Sequence, residues 1–141
     1  MPSARISTFF NPTIGVFAVL FGVATLISGG NNILFLQSDA EPTERIVPFV
    51  LYFNFAAGFA YVAAGAAFIL HRRWASTLAI AIATATLLVF TGLGVWILMG
   101  YPYELKTVIA MTIRTVFWWF TAIASQLLNN ARPAPPRSLE Q

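Results

Sequence analysis

Apolar residues run in four long blocks, separated by short polar or glycine- and proline-containing stretches. The blocks cover about residues 12–29, 46–70, 74–100 and 105–128. Each is close to the roughly 20 apolar residues that carry a helix across the hydrocarbon core of a bilayer. The pattern predicts an all-α fold, a four-helix transmembrane bundle with antiparallel neighbours. Small or polar residues recur every seven positions on several spans, which favours left-handed packing.

In the first span Pro12 suits a first turn with Asn11 ahead of it as N-cap. Arg5 before an apolar run fits a signal peptide, but no small-x-small cleavage pattern follows, so a retained helix is expected. Gly15, Gly22 and Gly29 form a smooth strip that another helix can approach closely. Ser28 to Asn32 (SGGNN) predicts the end of this helix, with Ile33 to Leu36 as a short interfacial piece. An acidic loop follows with Asp39, Glu41 and Glu44, closed by Arg45.

The second span tolerates Pro48 in its first turn. Asn54, Gly58, Tyr61 and Gly65 share one face, and Ala56, Ala60, Ala63 and Ala67 line another, nearly opposite. Small residues on both sides predict contacts on both sides, one of them with a protein partner or a second copy. His71, Arg72 and Arg73 make a basic turn, in which His71 reads as a turn residue rather than a ligand. Thr77, Thr84 and Thr91 repeat along one face of the third span, where packing and back-bonding to the preceding turn are the usual roles. Gly100 and Pro102 end that span, with Tyr101 and Tyr103 in an aromatic belt.

The fourth span carries an arginine well inside its apolar length. Thr107, Met111, Arg114, Trp118, Thr121 and Ser125 fall in one narrow helical stripe, whereas Ile109, Ile113, Val116, Phe120, Ile123 and Leu127 make the opposite face hydrocarbon. An arginine at membrane depth costs at least about 2.5–3.5 kcal/mol on insertion scales, so it faces other helices or a water-filled cavity.

Composition narrows the chemistry. The 141 residues are 58% hydrophobic and 9% charged, against roughly a quarter charged in soluble domains. The absence of cysteine excludes disulfides and thiolate-ligated metals, and a single histidine excludes a bis-histidine haem or an imidazole-rich zinc site within this chain. No cofactor or metal is expected. No paired carboxylates, Ser-His-Asp set or phosphate-binding Gly-rich loop can be assembled, which leans against an enzyme. The net charge of +3 is spread over residues flanking the spans, so it speaks of topology and not of nucleic acid. Arg5, Arg72, Arg73 and the arginines of the Pro/Arg-rich tail (residues 129–141) fall on one side, with Arg45, Lys106 and Glu104 on the other. Both termini, including residues 1–11, are therefore expected on the cytoplasmic side of the membrane.

With that orientation, Asn54, Arg114 and Thr91 each lie about eight or nine residues in from the outer surface, roughly 12–14 Å deep at about 1.5 Å per residue. Matching depth predicts a polar layer in which Arg114 donates to Asn54 and Thr91, with Glu104 and Glu44 as counter-ions nearer the surface. Tyr61 and Trp118 complete the candidate ligand-binding set, although the Trp118–Trp119 pair also reads as core and lipid contact. Arginine's long stem could also snorkel outward, giving Arg114 a purely structural role.

The stretch FNFAAGFAYVAAGAAFILHRRWASTLAIAIATATLL resembles uncharacterised small four-span bacterial integral membrane proteins. Its aromatic–Asn–Phe start, paired glycines, basic turn and following Trp-Ala carry the likeness, and YELKTVIAMTIRTVFWW is similar to the last span of the same group. More distantly, the chain resembles the DoxX-like four-helix proteins. That resemblance implies a place beside redox or assembly systems and no catalytic residues. Two functions are thus expected: a non-catalytic accessory or assembly subunit of an inner-membrane complex, or a protein that binds or passes a small polar or anionic ligand, or a lipid, in an outward-facing cleft around Arg114. A membrane-embedded enzyme is the third.

Overall fold

A computed structural model describes residues 2–38 and 45–131, with only the backbone described for residues 2–8. The acidic residues Asp39, Glu41 and Glu44, the Arg5 side chain and tail residues 132–141 lie outside what it describes. Among the described residues the secondary structure is helical: α1 (Pro2–Leu36), α2 (Pro48–Ile69), α3 (Ala75–Leu98) and α4 (Leu105–Asn130). Each is long and apolar enough to cross a membrane, α1 over Phe9–Leu36.

The first helix departs from the sequence reading at both ends. Pro12 lies inside α1, one missing N–H into a helix that begins before it. The expected break at Ser28–Asn32 does not occur, and α1 runs unbroken to Leu36. Two glycines cost roughly 1 kcal/mol each in a helix, but here packing decides. A Cβ at Gly29 would stand 3.3 Å from Phe55 of α2, so the bare backbone seats that ring. Inside a bilayer, unwinding would also strand backbone donors and acceptors without water.

Lipid tails are as apolar as leucine, so helices associate here through close packing rather than through exclusion of water. The α1/α2 interface illustrates this. A Cβ at Gly15 would meet Ile69 and the Gly65 carbonyl at 2.6 and 2.7 Å, and one at Gly22 would meet Val62 and the Gly58 carbonyl at 2.8 and 2.9 Å. Position numbers rise along α1 as they fall along α2. The Ala56–Ala67 face is divided: Ala67 is 1% exposed and Ala60 packs against the core, whereas Ala56 and Ala63 are exposed.

Helix ends are set by backbone geometry. After α2, His71 adopts φ +51°, its N–H bonds Phe68 O at 3.1 Å, and Arg72 N–H bonds Ala67 O at 2.8 Å. This is a Schellman cap with histidine in the left-handed position. Gly100 (φ +80°) closes α3 in the same way, with Gly100 N–H on Ile97 O and Tyr101 N–H on Trp96 O. α3 then lies along α4, tied at one end by Asn129 Nδ2 donating to Ser76 Oγ at 2.8 Å.

The core has two parts. Ile14, Ala18, Tyr61, Phe68 and Trp118 anchor the larger, with a run of alanines from α2 and α3 around them. Val47, Val50, Leu93 and Met111 make the smaller, near the start of α2. The large apolar residues of the predicted outer face of α4, from Ile109 to Leu127, are all exposed, as hydrocarbon contact requires.

Candidate anion-binding cleft

Between α1, α2 and α4 lies a cavity of about 360 Å³. α1 contributes Thr25, Ser28, Gly29 and Asn32 to its wall, and α2 with the residues before it contributes Ile46, Val47, Val50, Leu51 and Asn54. From α4 and its N-cap come Glu104, Lys106, Thr107, Ala110 and Arg114. These positions follow from helical spacing. Thr25, Ser28 and Asn32 are separated by three and four residues, as are Thr107, Ala110 and Arg114, so each set lies on one face.

Arg114 forms the floor. One guanidinium nitrogen, Nη2, donates to Thr25 Oγ1 at 3.4 Å, and the group sits over the Phe21 ring, 5.4 Å from its centroid. Its Nε is buried and has no hydrogen-bond partner. Asn54 Oδ1 is likewise buried and unpartnered. Among the described residues no carboxylate pairs with Arg114. Glu104, expected as its counter-ion, instead lies 3.1 Å from Lys106 Nζ at the cleft mouth.

The six candidate residues therefore separate. Arg114, Asn54 and Glu104 line one cavity. Tyr61 and Trp118 lie beneath it in the core, 0% exposed, with ring centroids 4.9 Å apart. Phe21 links the two levels, stacking on Tyr61 at 5.8 Å while carrying Arg114 on its ring. Thr91 does not reach the site. It is exposed and its hydroxyl donates to Leu87 O at 2.9 Å, because α3 turns Ala79, Ala83, Thr86 and Leu93 inward instead. The expected Arg114–Asn54 and Arg114–Thr91 bonds are thus replaced by one to Thr25, a residue not among the candidates.

The threonines divide between surface and core. Thr13, Thr91, Thr112 and Thr115 all back-bond to the carbonyl four residues before, which satisfies a hydroxyl in an apolar medium. Thr86 and Thr121 do not, and with Tyr61 Oη and Trp118 Nε1 they are buried without partners. The Tyr61 hydroxyl faces Thr86 and Trp118 without meeting hydrogen-bond geometry with either.

Chemically, the cleft offers a fixed cation, an amide and several hydroxyls, with the paired Glu104 and Lys106 at its mouth. No group of three or more metal-ligating side chains occurs among the described residues. Compared with known protein families, curated proteins and solved structures, the chain matches none.

Proposed function

We propose that this protein binds a small anionic group, from a soluble ligand or a lipid headgroup, in the cleft around Arg114 and performs no chemistry on it. The observation that carries this reading is a buried guanidinium on a cavity floor with an unbonded Nε and no carboxylate partner among the described residues. Burying a charge is costly unless it is paired and hydrogen-bonded. An oxyanion supplies both, and the planar guanidinium fork suits phosphate or carboxylate oxygens. The reading is tested by thermal unfolding of the purified protein with inorganic phosphate or acetate added. Ligand at a hundred times its Kd stabilises by about 2.7 kcal/mol, and Arg114→Met should abolish that gain. Equal response of the two proteins would refute the site.

The topology that accompanies this reading is an antiparallel bundle in a bacterial inner membrane, termini in the cytoplasm and cleft facing outward. Arg72 and Arg73 at one end, against Glu104, Lys106 and Arg45 at the other, support it. Because the chain has no cysteine, His71→Cys and Tyr103→Cys give clean labelling sites. Only the second should react with an impermeant thiol reagent added from outside.

A second reading, an accessory subunit of a larger complex such as the DoxX-like resemblance implies, is favoured by the exposed Ala56 and Ala63, small residues that a neighbouring helix could approach closely. Native mass spectrometry after gentle extraction should then show a second kind of chain, and a lone monomer would count against it.

A further inference from the structure

We propose that the anion is the phosphodiester of a membrane lipid, and that the lipid enters the cleft sideways, between α1 and α4. This rests on the anion-binding reading above and names its ligand.

The walls of the cleft are unequal. α1 leans on α2 and α4 on α3, whereas α1 and α4 barely touch. α2 and α4 do not approach closely either, but α3 closes the gap between them, with Leu93 packed among Val47, Val50 and Met111. The α1/α4 seam has no third helix behind it and is the weak wall of the cavity. Phe21 and Phe117 meet edge-to-face across that seam, 5.7 Å between centroids, and make a shelf beneath the guanidinium. Above the shelf the cavity is bounded by small residues, Ser28 on α1, which is exposed, and Ala110 on α4, which is half-buried. An opening bounded by two transmembrane helices leads into lipid.

Size and chemistry point the same way. About 360 Å³ lies at the low end of ligand pockets, roughly 300–1,000 Å³. It can hold a headgroup with its glycerol, while the acyl chains must lie outside. Val47, Val50 and Leu51 line the cavity opposite the seam. A hydrated inorganic anion gains nothing from such a surface, whereas a glyceryl ester does. Arg114 is one positive charge, and Glu104 and Lys106 already pair, so a single negative charge balances the floor. Asn54 Oδ1, buried and unpartnered, asks for a donor beside that charge. A glycerol hydroxyl or an ethanolammonium next to a phosphodiester supplies one, and a choline headgroup does not.

The test uses the full chain reconstituted into phosphatidylcholine vesicles containing phosphatidylglycerol, extracted mildly and analysed by native mass spectrometry for retained lipid. Phosphatidylglycerol should be retained about tenfold over its share of the bilayer, a preference lost in Arg114→Met. Asn54→Leu, an apolar change of similar size that a membrane helix tolerates, should bring the two lipids level even if Arg114→Met fails to fold. In parallel, inorganic phosphate and glycerol 3-phosphate are offered to protein held in phosphatidylcholine alone. Equal retention of the two lipids by the unmodified protein would overturn the proposal. If the soluble phosphates bind through Arg114 while phosphatidylglycerol is not enriched, the sideways lipid is wrong and the anion site stands. If no probe binds in an Arg114-dependent way, both readings fall.

Discussion

A methyl group at position 65 would stand 2.6 Å from the Gly15 carbonyl oxygen, 2.7 Å from Val19 Cγ2 and 2.8 Å from the Val19 amide nitrogen. Two of these three atoms are backbone, so no rotamer change relieves them. Ordinary contact begins near 3.4 Å, so Gly65→Ala must push α1 off α2 by about 0.8 Å at this point. Overpacking of this kind costs about 1–3 kcal/mol. Alanine recovers about 1 kcal/mol of helix propensity over glycine, which leaves a net loss of about 0–2 kcal/mol. Gly94→Ala is the matched control: nothing lies within 4 Å of its added carbon, so only the propensity gain of about 1 kcal/mol remains. The same chemical change at two helical glycines should therefore differ by about 1–3 kcal/mol, read from reversible unfolding in mixed detergent–lipid micelles. Equal stability of the two variants would refute the close α1/α2 contact. It would also undermine the cleft, because α1 carries Thr25, whose 3.4 Å contact with Arg114 has little slack.

Thr25→Val keeps the shape but removes the hydroxyl that receives Arg114, and should cost about 1 kcal/mol in the same unfolding assay; no loss would mean the contact carries no energy. Tyr61→Phe removes a buried hydroxyl that has no partner, so stability should hold or rise by up to about 1 kcal/mol. A loss beyond that range would show that the hydroxyl is bonded in the membrane. Gly100→Ala places a side chain at φ +80° and should lower stability by roughly 1 kcal/mol. His71→Gly, at φ +51°, should raise it, and the opposite order would overturn the two caps.

How much of this was legible in the sequence depended on the helix. In α4 the polar stripe from Thr107 to Ser125 faces inward and the hydrocarbon face from Ile109 to Leu127 faces out, because Arg114 and its neighbours make the two sides chemically different. α1 and α2 lack such contrast, and only side-chain size oriented them. The glycines at 15, 22, 58 and 65 read correctly as close-approach positions. α3 has neither signal. Its threonine repeat turned out to be an outward stripe, since a back-bonded threonine is at ease against lipid. Thr86, which does point inward, stood outside that repeat.

The site was only half legible, and the end of the first helix accounts for the residues missed on α1. Ending the first helix at Gly29 turned Ser28–Asn32 into a loop and left Thr25 near the end of a span, so the first helix offered nothing to Arg114. Continued to Leu36, the same residues put Thr25, Ser28 and Asn32 on one face, a polar run as regular as that of α4. That face meets Asn54 and Arg114 across the cavity. The signal was present in the spacing, but glycine and asparagine propensities outweighed it. In water they would have deserved that weight. In hydrocarbon the balance reverses, because a broken helix strands several polar backbone groups, each costing several kcal/mol, against roughly 1 kcal/mol for each glycine kept helical. The polar residues that a soluble-protein reading assigns to a turn are, within a span, the ones to place on a cavity wall.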